Sequence, residues 1–174
     1  MSCQLSAFRK GQEDRGAATK NKTTYLSGEK MTKVDEPFLT AFKQRVDAQE
    51  ISRFWQMELE ELAPGRAKVS MVCVPEMANI LGMVHGSAIF ALIDEAFQAA
   101  VNAHGTVAVA LNMNLTFHAA PKMGERLTAT TRELHAGRRT ATYFIEVTDA
   151  RGGLIASCQA LAYRKDTPLE FAQV

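Results

Sequence analysis

Two kinds of hydrophobic spacing alternate along the chain. In the first, apolar residues recur every three or four positions, as at Phe38, Phe42 and Val46, and predict a short amphipathic helix that ends near Gln49. Residues 86–103 are apolar at almost every position, without proline or internal glycine. Because a helix that is apolar nearly all round is buried on most of its sides, this run predicts a central helix.

The second spacing is a period of two, which is typical of strands with one buried face. Trp55, Met57 and Leu59 alternate with polar residues before the turn Ala63-Pro64-Gly65, and the alternation resumes after that turn. These two runs predict an antiparallel hairpin. Four more strand-like runs follow the apolar helix, over residues 107–117, 127–131, 141–147 and 154–162.

The predicted order of elements is a helix, two strands, a long buried helix and four strands. Since loops cannot cover one apolar helix, we expect an α+β fold in which a curved antiparallel β-sheet wraps around the long central α-helix. We expect one domain, over residues 34–166. Residues 1–33 show little apolar periodicity and are expected to form a disordered tail, and residues 167–174 a frayed C-terminal tail.

Composition and charge exclude several classes of function. The 174 residues carry a net charge of +1, so we expect no nucleic-acid partner, and no apolar run is long enough for a membrane span. There is no apolar signal core and no CxxC pair among Cys3, Cys73 and Cys158, which favours a cytoplasmic protein with reduced thiols. The four histidines lack metal-ligand spacing and no glycine-rich phosphate loop is present, so we expect no metal ion and no cofactor.

The candidate chemistry lies at the start of the central helix and one carboxylate further along. His85, Gly86 and Ser87 occupy the predicted N-terminus, where free backbone N–H groups and the helix dipole favour an oxyanion or a polarised carbonyl oxygen. Asp94 interrupts the apolar run, where a carboxylate is costly unless it is paired or used. It could act as a base for water or as a nucleophile in acyl transfer, and Glu95 points about 100° away from it.

Each of these residues also has a structural interpretation. Asp94 is consistent with a satisfied carboxylate at an interface, and His85 with a helix-start residue that makes a structural hydrogen bond. Asn79 is consistent with a residue that holds a turn. Arg138 and Arg139 are consistent with a solvated hairpin tip or with a phosphate contact.

The spacing of Gly86 and Asp94 leads to a prediction about assembly. Eight residues along one helix correspond to roughly 12 Å, so one reacting carbonyl cannot touch both groups of the same chain. If the two groups act together, Asp94 belongs to a second copy. We therefore expect a homodimer with two shared sites related by a two-fold axis.

Several motifs of the sequence resemble those of a known family. Asn79-x5-His85-Gly86-x7-Asp94, the later segment 111–124 and the hairpin 137–141 resemble the hotdog-fold acyl-CoA thioesterases of the phenylacetate-degradation (PaaI-like) type. The resemblance implies a hotdog fold and a carboxylate, Asp94, that acts as general base or nucleophile on the thioester. It also implies that the Gly86 amide polarises the carbonyl, and that His85 and Asn79 position the thioester or the attacking water.

The resemblance also suggests which residues bind the substrate, and the chain differs from the family pattern at two positions. Arg138 and Arg139 match the hairpin that meets the nucleotide end of coenzyme A. Ser87 replaces the second glycine of the family's His-Gly-Gly motif, so its amide can still donate but the pocket loses space or gains a hydroxyl. Ala110 stands where some relatives have Ser or Thr, which leaves Asn112 as a candidate to position water.

The leading hypothesis is an acyl-CoA thioesterase that releases a free acid and coenzyme A, with coenzyme A present only as part of the substrate. The alternatives are a non-catalytic acyl-CoA-binding hotdog module and a hotdog dehydratase or hydratase. Homodimers of this family often pair again, so a homotetramer is also consistent with the resemblance.

Overall fold

The computed structural model describes residues 34–170, which belong to the second of two units, Met1–Met31 and Thr32–Val174. The tail predicted for residues 1–33 therefore lies outside the described residues. The helices are α1 (Glu36–Asp47), α2 (Glu50–Phe54) and α3 (Gly86–Asn102), with a 3₁₀ turn at Pro75–Met77. The strands are β1 (Glu58–Ala63), β2 (Arg66–Val72), β3 (Thr106–Phe117), β4 (Arg126–Ala136), β5 (Thr140–Asp149) and β6 (Leu154–Pro168).

The six strands form one antiparallel sheet in the order β1-β2-β4-β5-β6-β3, and the sheet curves around α3. Helix α3 packs against the inner face of the sheet, where Leu92, Ile93 and Phe97 are almost completely buried. Phe97 contacts Tyr143 of β5 edge to face, with ring centroids 5.5 Å apart. The predicted curved sheet around a long central helix is confirmed.

The predicted first hairpin is also confirmed. Ala63 and Arg66 pair across the turn, and Gly65 adopts a φ of +75°, which glycine reaches without steric cost. The N–H of Gly65 donates to the carbonyl oxygen of Ala100 (3.1 Å). This bond joins the hairpin turn to the C-terminal part of α3, so that end of the sheet is fixed relative to the helix.

A partly buried polar cluster holds the same end of the molecule. His104 Nε2 lies 2.7 Å from Glu133 Oε2, and the hydroxyl of Tyr143 donates to the same oxygen (2.6 Å). Burial by itself raises the pKa of Glu133, but the hydrogen bonds from His104 and Tyr143 outweigh it and lower the pKa below its usual value. The cluster ties the end of α3 to β4 and β5.

The structure differs from the predicted boundaries at two places. Trp55 does not open a strand, because it ends the short helix α2 and Gln56 then adopts a φ of +52°, which interrupts an extended backbone. At the other end, β6 runs two residues beyond the predicted domain boundary, since Pro168 pairs with Thr106. Residues 167 and 168 of the predicted tail therefore belong to β6, and the N–H of Leu169 donates to the carbonyl oxygen of Gly105 (2.9 Å). The last four residues of that tail lie outside the described residues.

Strand β3 contains a bulge, although apolar residues alternate regularly along its sequence and give no sign of it. Ala110 pairs with Ala162, but Asn112 pairs with Leu161, so Leu111 is the extra residue. Before the bulge, Ala110 lies on the inner face with the buried Ala162. After it, Asn112 and Asn114 lie on the outer face, away from α3.

Candidate active site

Helix α3 begins with a cap made by a histidine. His85 is the N-cap residue, and its Nδ1 accepts a hydrogen bond from the N–H of Ser87 (3.0 Å) and lies 2.8 Å from Ser87 Oγ. The structural interpretation of His85 is therefore confirmed. Because Nδ1 is the acceptor, neutral His85 carries its proton on Nε2, which leaves an exposed donor beside the helix end.

The first residue of α3 presents a free donor. The N–H of Gly86 has no acceptor among residues 34–170, whereas the N–H of Ser87 is used by His85 and that of Ala88 donates to the His85 carbonyl (3.0 Å). The Gly86 N–H thus lies at the positive end of the helix dipole with its hydrogen unpaired. An oxyanion of acyl transfer needs a donor of this kind.

Asn79 shapes the loop that leads into the helix. Its Oδ1 accepts hydrogen bonds from the N–H groups of Leu81 (2.8 Å) and Met83 (3.2 Å), so its role in holding a turn is confirmed. The N–H of His85 donates to the carbonyl oxygen of Met77 (2.7 Å), which fixes the other side of this loop. Asn79 therefore positions the backbone that precedes His85, and its contact with a substrate stays a prediction.

Asp94 is not the buried carboxylate that the apolar run suggested. Ser87, Phe90 and Asp94 are all exposed, and their spacing of three and four residues places them on one stripe of α3 that the sheet leaves uncovered. Although Asp94 is exposed, neighbouring protein atoms remove part of its hydration, and this desolvation raises its pKa. A carboxylate with a raised pKa on an open surface is a better base than an ordinary aspartate.

The buried carboxylate is the next residue, Glu95, which is only 5% exposed. One step of about 100° turns it toward α2, where Ser52 Oγ donates to Oε1 (2.8 Å) and Gln98 Nε2 donates to Oε2 (2.6 Å). Burial raises the pKa of Glu95, and the hydrogen bonds from Ser52 and Gln98 oppose that rise. The two adjacent carboxylates therefore lie in different surroundings, and that Asp94 is the one that faces the site stays a prediction.

Replacing Ser52 with alanine should lower the free energy of unfolding by about 1–3 kcal/mol, because it removes a buried donor from a carboxylate. Denaturant titration measures this change. The matched control is Ser157→Ala, whose hydroxyl bonds to the exposed His118 (2.8 Å) and should change stability by less than about 0.5 kcal/mol. Equal losses for the two variants would contradict a stabilising role for the Ser52–Glu95 bond.

The remaining predicted residues lie elsewhere in the chain. Arg138 and Arg139 are exposed between β4 and β5, at the end of the sheet that contacts the C-terminal part of α3, and Arg138 lies 3.9 Å from Asp166. Asn112 is on the outer face, in a polar depression with Thr142 and Gln159. One chain therefore does not bring Asn112, Arg138 or Arg139 to the start of α3.

Comparison with known proteins assigns the chain to a family. The family model described as "Thioesterase superfamily" matches residues 81–156, which include the whole of α3. A provisionally named esterase of Archaeoglobus fulgidus is 40% identical over 104 residues, which are 60% of this chain and 68% of that protein. The chain belongs to the thioesterase superfamily. Acyl-coenzyme A thioesterase PaaI of Escherichia coli is 31% identical over 62% of this chain and 77% of its own length.

Solved structures of proteins with similar sequences share the architecture. The TT0310 protein of Thermus thermophilus is 32% identical, with a TM-score of 0.65, and the match covers 67% of this chain and 98% of that one. The PaaI protein of E. coli has a TM-score of 0.70 at 25% identity, over 76% and 99% of the two chains. The hotdog fold and the PaaI-like relationship predicted from the sequence are confirmed.

Three further observations concern the part of the chain that the structure describes. Within residues 34–170, no group of three or more His, Cys, Asp or Glu side chains could hold a metal ion. In the same range no helix is long and apolar enough to cross a bilayer. Cys73 and Cys158 are free and buried, as expected, and burial raises the pKa of the Cys73 thiol to about 11.

Proposed function

We propose that this protein is an acyl-CoA thioesterase that hydrolyses the thioester of an acyl- or aryl-CoA to the free acid and coenzyme A. The observation that carries the proposal is the unpaired Gly86 N–H at the start of α3, with Asp94 on the exposed stripe of the same helix. The 31% identity to acyl-coenzyme A thioesterase PaaI of E. coli supports the substrate class. The reaction needs no cofactor beyond the coenzyme A of the substrate.

In the proposed reaction, the thioester carbonyl oxygen accepts a hydrogen bond from the Gly86 N–H. As general base, ionised Asp94 takes a proton from water while the water oxygen bonds to the carbonyl carbon. The oxyanion that forms is stabilised by the Gly86 donor and the helix dipole. The C–S bond then breaks, and the departing thiolate of coenzyme A takes the proton that Asp94 removed from water, which restores ionised Asp94. As nucleophile, Asp94 would attack the carbonyl carbon itself, the C–S bond would break and release the thiolate of coenzyme A, and water would then hydrolyse the resulting anhydride to the free acid and ionised Asp94.

We propose that each site is shared between two copies of the chain. Strand β3 is an edge strand of twelve residues, Thr106–Phe117, with no charged side chain and with Val109 and Leu111 exposed. The opposite edge, β1, carries Glu58, Glu60 and Glu61, which discourage strand pairing. An uncharged apolar edge beside the uncovered stripe of α3 fits an isologous partner that supplies its own Asp94. Tetramers built from two such dimers would keep the same sites.

Arg138 and Arg139 complete the proposal at the nucleotide end of the substrate. Their guanidinium groups are exposed, and guanidinium binds phosphate oxygens through paired hydrogen bonds. Because they lie far along the sheet from Gly86, we propose that they reach the coenzyme A held by the partner. Free thiols at Cys73 and Cys158 favour a reducing compartment, and we propose the cytoplasm.

Thiol release by the wild-type protein from a panel of acyl- and aryl-CoA esters tests the proposed function. We expect turnover of at least one class of ester, with one equivalent of thiol per acid formed. Tight binding of the esters without turnover would indicate a binding module instead. Hydration of an enoyl-CoA without thiol release would indicate a hydratase.

The pH dependence of kcat/KM should report the ionisation of Asp94. A base must be ionised to act, and desolvation raises the pKa of Asp94 above its ordinary value of 3.8. Activity should therefore rise with pH through this raised pKa and be lost on acidification at a higher pH than an unperturbed aspartate would give. Rate measurements in a series of buffers, with folding checked at each pH, follow this acid limb. Activity that does not vary across that range would contradict the assignment.

A further inference from the structure

The ring of Phe117 lies against the start of α3. A Cβ atom on Gly86 would be 2.9 Å from Phe117 Cζ, so the tip of the ring occupies the space beside Gly86 that a side chain would need. Only a residue without a side chain allows this approach. The surface next to the candidate oxyanion donor is thus already bounded by an aromatic ring.

The backbone that carries Phe117 is fixed, whereas its ring is not enclosed. Phe117 pairs with the buried Ala156 on β6, and the N–H groups of His118 and Ala119 both donate to the carbonyl oxygen of Ile155 (2.8 and 3.2 Å). The side chain itself is 52% exposed. The strand therefore sets the position of the ring, and within the single chain one side of the ring is uncovered.

Two other apolar side chains are exposed near the same helix end. Met83 precedes the N-cap by two residues, and Phe90 lies one turn after Gly86 on the uncovered stripe. A carbonyl oxygen that accepts from the Gly86 N–H brings its carbon to within about 4 Å of that nitrogen. Since the Phe117 ring lies against Gly86, that carbonyl carbon is held near the ring, and C2, which is bonded to it, is the first acyl carbon that the ring could contact.

We propose that Phe117 is a specificity-determining residue that limits substitution at C2 of the acyl group. The ring fills the volume that a methyl branch at C2 would need, while an unbranched CH₂ passes along its free face. The substrates of this site are therefore CoA esters with a CH₂ at C2, whether that CH₂ carries a chain or an aryl ring, which narrows the aryl esters of the proposed function to those whose ring is not bonded directly to the carbonyl. This inference rests on the proposed thioesterase function.

The test compares kcat/KM for butyryl-CoA and 2-methylbutyryl-CoA in the wild type and in Phe117→Ala and Phe117→Leu. The wild type should prefer the unbranched ester, and Phe117→Ala should reduce that preference by about 10-fold or more, the usual effect of one methyl group in a tight pocket. Phe117→Leu, which keeps apolar volume, should fall between them. It also preserves the test if the alanine variant does not fold. A ratio of two substrates within one preparation is unaffected by the folded fraction.

Phe54→Ala is the matched control, because Phe54 is 72% exposed on α2 and its ring contacts Trp55 instead of Gly86. This variant should keep the wild-type ratio. An unchanged ratio in both Phe117 variants, with thiol release intact, would overturn the role of Phe117 and leave the proposed function standing. Absence of thiol release by the wild type from every ester would overturn both.

Discussion

Asp94→Asn should lower kcat for CoA-ester hydrolysis by about 10²–10⁴-fold, the range expected when a general base is lost. Asparagine has nearly the same shape as aspartate but can neither take a proton from water nor attack a carbonyl. Because Asp94 is exposed in the chain and has no hydrogen-bond partner among residues 34–170, the variant should fold normally and KM should change little. Initial rates of thiol release at saturating ester measure the effect.

Two control variants test whether the loss of kcat is specific to Asp94 or follows from the removal of any nearby carboxylate. Asp47→Asn removes an exposed partner of Lys43 (3.4 Å) at the end of α1, and its kcat should stay within about twofold of wild type. Glu95→Gln alters the adjacent buried carboxylate and should act mainly on stability. A wild-type kcat in Asp94→Asn would remove Asp94 from the mechanism.

Gly86→Pro should lower kcat by about 10²–10³-fold, the usual cost of losing one oxyanion donor. Proline has no N–H, and at the first position of a helix it is otherwise well tolerated. The preceding His85 has φ −68° and ψ 136°, which is the extended conformation that a residue before proline prefers. The substitution therefore removes the donor while the helix and its cap remain compatible with the backbone.

Gly86→Ala provides the comparison for this prediction. Alanine adds the same Cβ, which meets the ring tip of Phe117, but it keeps the N–H group. Its kcat should be at least about tenfold above that of Gly86→Pro if the donor carries the effect. Equal rates for the two variants would mean that crowding at Phe117, and not the loss of the N–H, accounts for the change.

The sequence predicts the elements well where the local pattern and the tertiary packing agree. The long apolar run must be buried on most of its sides, so it predicts both helix α3 and a sheet that surrounds the helix. Helix α2 could not be predicted, because its five residues are too few for a periodic pattern and Trp55 happens to continue the alternation of β1. The bulge at Leu111 is equally invisible, since it depends on pairing with β6.

The sequence predicts which residues form the candidate site, but it does not predict the burial and contacts of their side chains. His85, Gly86 and Asp94 could be identified because they interrupt or begin an apolar helix. The sequence could not decide which adjacent carboxylate is buried, because that depends on Ser52, which approaches from a helix more than forty residues earlier. Phe117 was missed as a site residue because the regular alternation of β3 made it resemble an ordinary core position. Two features of the sequence could have identified Phe117. It is an aromatic residue at the end of a strand, and a glycine that a ring can approach begins the central helix.

The central claim is that Gly86 and Asp94 of one site belong to different chains, and complementation tests it most directly. Asp94→Asn and Gly86→Pro chains, carrying different tags, are co-expressed and the doubly tagged dimer is purified. Each parent homodimer should be nearly inactive, but the mixed dimer should contain one intact site and show about half of wild-type activity. A mixed dimer as inactive as its parents would contradict a site shared between two chains.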